Sequence, residues 1–170
     1  MTEPVAGRLR SLLGSDVYTV KGRLRADDLL VRERVRRGLA EASSRLRELA
    51  SEWRADRVPP FTREQPFPPA EVMEPIRRAE RLGRTIEDVS TAVGGLPLMS
   101  QDCVWDRVRR VGLDELLQFD WTMVGESEAL ALELTQCDAL DQIDIRAAQE
   151  RIGRLREAMA DRRRYLEILA

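Results

Sequence analysis

Histidine is absent from the 170-residue chain. No imidazole can act as general base, proton shuttle or metal ligand, and no Cys–His or Ser–His–Asp set can be assembled. Lysine occurs once, at Lys21, so nearly all positive charge is arginine, a pattern expected from the codon bias of a GC-rich, bacterial genome. Aromatic residues are 5% of the chain, too few for a typical β-sandwich core. No run of about 20 apolar residues occurs, so no transmembrane helix is expected. The opening MTEPVAGRLR lacks the apolar stretch of a signal peptide. A cytoplasmic location follows as the expectation, with Cys103 and Cys137 reduced and packed as small apolar residues.

What is present points to helices. Apolar residues make up 43% and charged residues 34%, in a length suited to one domain. Val35, Leu39, Ala42, Leu46, Leu49 and Trp53 recur at alternating steps of four and three, the seam of a coiled coil or long bundle helix. The helix that carries them is expected from Ala26 to Arg57, ended by Val58-Pro59-Pro60. A second stripe, Ile76, Ala79, Leu82, Ile86, Val89 and Val93, predicts a helix from about Glu71 or Glu74, its regular part starting near Glu74 because Pro75 is tolerated only in a first turn, that stops at Gly94-Gly95. Val104, Val108 and Val111 suggest a short helix ended by Gly112. A fourth, from Asp114 to about Leu140, carries Leu116, Phe119, Met123, Leu130, Leu134 and Cys137. A kink or break is expected in it at Gly125, where Glu126 or Ser127 takes an apolar position.

The last helix, Asp144 to Leu169, has the most regular pattern: Ile145, Ala148, Ile152, Leu155, Met159, Arg162, Leu166 and Leu169. One arginine stands in this apolar seam, and a single polar seam residue can set register or partner choice. The fold class expected is therefore all-α: an elongated antiparallel bundle of four to five helices, two of them long and coiled-coil-like. Residues 1–25 form a peripheral N-terminal segment, docked through Leu9, Leu12 and Leu13. Residues 26–170 form the bundle domain, with an extended proline-rich connector at 58–70 held down by Phe61 and Phe67.

Charge is segregated along the chain. Residues 113–144 contain nine acids and no basic residue, whereas residues 1–57 and 145–170 are net basic. Either the acidic helix packs beside the arginine helices and orders the bundle by sign, or it offers an acidic face to a basic partner.

Catalytic and ligand-binding motifs are sparse. Asp138, Asp141 and Asp144, three apart, could hold a divalent cation on a continuous helix, but Asp141 or Asp144 also suits the cap of the last helix. Glu71-x-x-Glu74 resembles the first half of the carboxylate pattern of the all-α NTP pyrophosphatases, and the second half is missing. Pro66-x-x-Pro69 reads as a connector more readily than as a polyproline ligand. Gly94-Gly95 lacks the lysine and strand context of a phosphate loop. Arg32 to Arg37 and Arg162 to Arg164 are interspersed with acids, as on salt-bridged helix faces.

The expectation is a non-enzymatic helical interaction protein (a scaffold, adaptor or small subunit of a larger assembly) that needs no cofactor. It binds a protein partner, or a second copy of itself as a dimer, through its heptad seams and acidic helix. The partner-binding residues expected are Asp114, Asp120, Glu126, Glu128, Glu133 and Arg162. The alternative is a regulator that contacts anionic membrane or nucleic acid through its arginine-rich helices. A carboxylate- and metal-dependent all-α enzyme comes third.

Overall fold

The computed structural model describes positions 7, 9, 11 and 13 and residues 24–60, 63, 67–96 and 102–169. Among them all regular structure is helical: α1 Leu24–Arg57, α2 Ala70–Gly94, α3 Asp102–Arg107, α4 Leu113–Gln136 and α5 Ile145–Leu169. A π-helical turn, Val108–Gly112, joins α3 to α4, and a 3₁₀ turn, Leu140–Gln142, lies between α4 and α5. None of these helices is long and apolar enough to cross a membrane.

The four long helices pack as a bundle. α1 runs antiparallel to α2, because the ion pairs Arg54–Glu80 and Arg47–Glu87 climb one helix as they descend the other. It runs parallel to α4, which it meets through Arg34–Glu128 and, a few turns on, through Arg45 Nη2 donating to the Cys137 carbonyl. α5 returns antiparallel to α4 and closes the bundle against α2. Two neighbouring pairs are thus antiparallel and two parallel, where the sequence suggested antiparallel packing throughout. The 102–112 segment causes the difference. It carries the chain diagonally from α2 to α4, which therefore lie across the bundle from each other with little direct contact.

Heptad periodicity predicts the core well. Val35, Leu39, Ala42, Leu46 and Leu49 are buried, as is the whole α2 stripe from Ile76 to Val93. In α4 the stripe positions Leu116, Met123, Leu130 and Leu134 are buried, and in α5 Ala148, Ile152, Leu155, Met159, Arg162 and Leu166. Leu9 is buried in the same cluster and Leu13 packs against it, so the N-terminal segment contributes a core side chain. Leu12, Phe61 and the side chains of Cys103 and Val111 lie outside the described residues.

Local departures have identifiable causes. α2 starts at Ala70, four residues before Glu74, and holds Pro75 inside it. Its first turn is fastened from outside: Trp53 Nε1 donates to the Val72 carbonyl at 3.0 Å, and Val72 N and Met73 N donate to the Pro69 carbonyl. Phe67 does not pin the connector. It is 80% exposed, and Trp53 does the anchoring.

Gly112 does not end a helix into a loop. The chain passes through it from the π turn straight into α4, and Tyr165 Oη donates to its carbonyl at 2.9 Å. A Cβ at Gly112 would lie 1.6 Å from that hydroxyl oxygen, so any larger residue requires the Tyr165 ring to swing away and give up this hydrogen bond.

α4 is continuous through Gly125. The polar residue in the apolar stripe is Ser127, whose hydroxyl, buried, donates to the Val124 carbonyl at 2.9 Å. Its small side chain lets α1 approach closely: a Cβ on Gly38 would stand 3.0 Å from the Ser127 backbone C and O. A backbone neighbour cannot move aside as a side chain can. Around a Cβ on Gly125, by contrast, no atom lies within 4 Å.

These two glycines therefore respond oppositely to alanine. Gly125→Ala is expected to stabilise the fold by up to about 1 kcal/mol through helix propensity alone. Gly38→Ala gains the same propensity but must push α1 and α4 apart, and is expected to lose about 1–2 kcal/mol net. Urea midpoints of the two variants check both signs.

Candidate functional site: a buried charge cluster beside a neutralised acidic helix

The seam arginine of α5 enters the core. Arg162 is 2% exposed, and the two carboxylates that receive it, Asp28 of α1 and Asp120 of α4, are fully buried. Nε donates to Asp120 Oδ1 at 2.6 Å, and Nη2 donates to Asp28 Oδ1. The other oxygen of Asp28 faces Arg32 Nη2, one turn along α1, at 2.7 Å. Arg32 Nη1 in turn donates to the Leu96 carbonyl, just beyond α2. Asp27 is buried beside them. One connected set of charges thus joins α1, α4, α5 and the exit of α2.

Two opposing costs define what such a set contributes. Removing an ion from water costs several kcal/mol, so the cluster adds little net stability over a well-packed apolar layer. Once built, however, it is expensive to break, because the remaining partners are left as buried, uncompensated charges.

Outside the cluster, α4 turns its carboxylates sideways onto its neighbours. Arg154 forms a two-point contact with Glu126, Nε at 2.8 Å and Nη2 at 3.0 Å. Arg151 bridges Glu126, through Nη1 at 2.9 Å, and Glu133, through Nε at 2.8 Å. On the opposite flank Arg34 of α1 pairs with Glu128. Burial alone would push the Glu126 carboxyl up, but hydrogen bonds and charge from Arg154 and Arg151 outweigh it and hold the group below its ordinary value. The Arg151 hydrogen bonds do the same for Glu133, against a smaller effect of burial. Both arginines are held correspondingly further from deprotonation, chiefly by their hydrogen bonds to Glu133 and Glu126.

The six residues singled out from sequence therefore fall into three settings. Asp120 and Arg162 are enclosed and bonded to each other. Glu126, Glu128 and Glu133 are half-buried and bound by arginines of the same chain. Asp114 is exposed in the first turn of α4. Asp28 suits a helix start beside Asp27 and Arg32 a charged helix face, and the one signal of their burial is a position one heptad ahead of Val35 and Leu39.

No group of three or more acids or cysteines among the described residues could hold a metal ion. Asp138, Asp141 and Asp144 do not share a helix. Asp138 N donates to Gln142 Oε1, and Asp144 Oδ1 caps α5 by accepting from Ala147 N at 3.0 Å. Cys137 is half-buried, its thiol donates to the Glu133 carbonyl, and burial raises its pKa. One surface concavity is an open groove between α1 and α2, floored by Leu46, Ala50, Ala79 and Gly83.

From Gln118 onward the face of α4 turned away from the core carries no charge, whereas the first turn of the helix presents Asp114 and Glu115. Gln118, Thr122, Gly125, Ala129, Leu132 and Gln136 follow one another at steps of four and three, and Leu132 is 59% exposed. Beside Leu132 a groove runs along α1, past Gly38 and Ala131. No family model, curated protein or solved structure matches this chain.

Two outcomes are expected. Arg162→Met alone should lose about 3–5 kcal/mol of stability, as breaking a buried pair does, measured by urea unfolding. Because Glu126 and Glu133 titrate below their unfolded values, their contribution is complete above the unfolded carboxylate pKa and is lost as pH falls through the folded one. Stability should therefore fall on acidification below about pH 5. That slope should be shallower in Arg151→Gln, read from urea midpoints between about pH 6 and 3.

Proposed function

We propose that the chain is a non-enzymatic helical interaction protein, a scaffold, adaptor or small subunit, and that it meets a protein partner on the outer face of α4. The observation that carries this reading is the contrast on that helix. Glu126, Glu128 and Glu133 are bound sideways by Arg34, Arg151 and Arg154, while the stripe Gln118–Gln136 faces outward uncharged, in a chain of which 34% is charged. A helical stripe with Gly125 and Ala129 at its middle permits close approach of another element, and Leu132 offers an apolar anchor. This reading places the partner on α4 and not on the heptad seams, whose apolar residues are already buried against one another.

The reading through an anionic membrane or nucleic acid is less favoured. The arginines of α1 and α5 that face α4 are engaged by carboxylates of the same chain, which lowers their value as phosphate ligands.

Affinity capture from the native lysate, with the wild type and with Leu132→Glu side by side, tests the proposal. A stoichiometric protein partner is expected with the wild type, and a loss of roughly tenfold or more with the variant, at unchanged melting temperature. Absence of any partner, or one retained equally by both proteins, would sink it.

A further inference from the structure

The seams of this bundle are repetitive. Seven residues before Arg162 stands Leu155, and seven after it Leu169. Seven residues on from Asp28 stands Val35, and from Asp120 Ser127, both buried. Sliding α5 by one heptad would therefore set apolar residues against apolar residues almost everywhere. The exception is the charge cluster: Leu155 or Leu169 would face Asp28 and Asp120, and Arg162 would leave both for a layer such as that of Val35 and Ser127.

We infer that the Asp28–Arg162–Asp120 cluster is a register-setting device, retained because it selects this alignment of α5 over the alignments one heptad away. The remaining contacts that oppose a slide are weaker discriminators. Arg151 and Arg154 pair with Glu126 and Glu133 in half-exposed positions where water screens them. Tyr165 contributes a hydrogen bond to Gly112 and a tilted ring contact with Phe119, and Arg107 donates to the Leu169 carbonyl at the exposed end of α5. Asp28 and Asp120 are shut off from solvent and the Arg162 fork is bonded to both, so a slide would take one guanidinium from two buried carboxylates at once, leaving Asp28 with Arg32. The same logic explains why the charges span α1, α4 and α5 at once: one side chain fixes α5 against two helices together. This inference does not depend on what binds the outer face of α4.

Replacing all three groups tests it, because single replacements leave buried charge behind and could simply unfold. The variant is Asp28→Leu, Asp120→Leu and Arg162→Met. Nitroxide labels at Glu52 and Arg163, both exposed and near opposite ends of the bundle, report the axial position of α5 in a background carrying Cys103→Ala and Cys137→Ala. With the cluster intact, pulsed electron–electron distance measurement should give one narrow distribution. The triple variant is expected to fold, with a melting temperature equal to or above that of the parent. It should add a second distance displaced by roughly 10 Å, the length of seven helical residues. A single distance at the parent value would overturn the inference, since packing alone would then specify the register. Failure of the triple variant to fold would overturn it as well, by making the cluster a source of stability rather than of selection.

Discussion

The placement of Arg162 in the core is the constraint to which the rest of the bundle conforms. A guanidinium with 2% exposure must find carboxylates at the same level, and it finds one on each of two other helices. That requirement is directional in a way that leucine packing is not. Leucine accepts any apolar neighbour of suitable volume, whereas an arginine fork accepts only acids placed at its tip. The cluster therefore constrains α1, α4 and α5 simultaneously and, through Arg32 and the Leu96 carbonyl, reaches the exit of α2.

The acidic helix follows from the same principle at lower stakes. α4 has no basic residue of its own, and Asp120, Glu126, Glu128 and Glu133 are each matched by an arginine from α1 or α5. The half-exposed pairs among these add little stability individually. Together they favour neighbours of opposite sign, which places α4 between the two basic helices. With its charges drawn to both flanks, α4 is left with an uncharged outer stripe, the feature on which the proposed interaction role rests.

Close packing supplies the rest of the specificity, and it does so through small residues. Gly38 lies against the Ser127 backbone, and Gly112 lies under the Tyr165 hydroxyl. Both contacts depend on a pair of residues from distant parts of the chain. Gly125, which looks like the more disruptive residue in a helical pattern, faces open space and leaves α4 unbroken.

The sequence by itself determined the helical class, the core-facing stripe of each long helix and the anomaly of an arginine in the last seam. Those features are written in a period close to 3.6 residues, and burial of an apolar stripe is the main driving force whatever the helix packs against. It also narrowed the cap of α5 to Asp141 or Asp144, because a cap acts within its own turn, and in the structure Asp144 takes that place. Only the tertiary structure decided which acids receive Arg162, why Pro75 is tolerated inside α2, and which way α4 turns its charges. Asp28 and Asp120 are separated from Arg162 by 134 and 42 residues, and Trp53 from Val72 by 19. Such partners are set by the diagonal crossing at 102–112 and by helix alignment, which periodicity leaves free to slide by whole heptads.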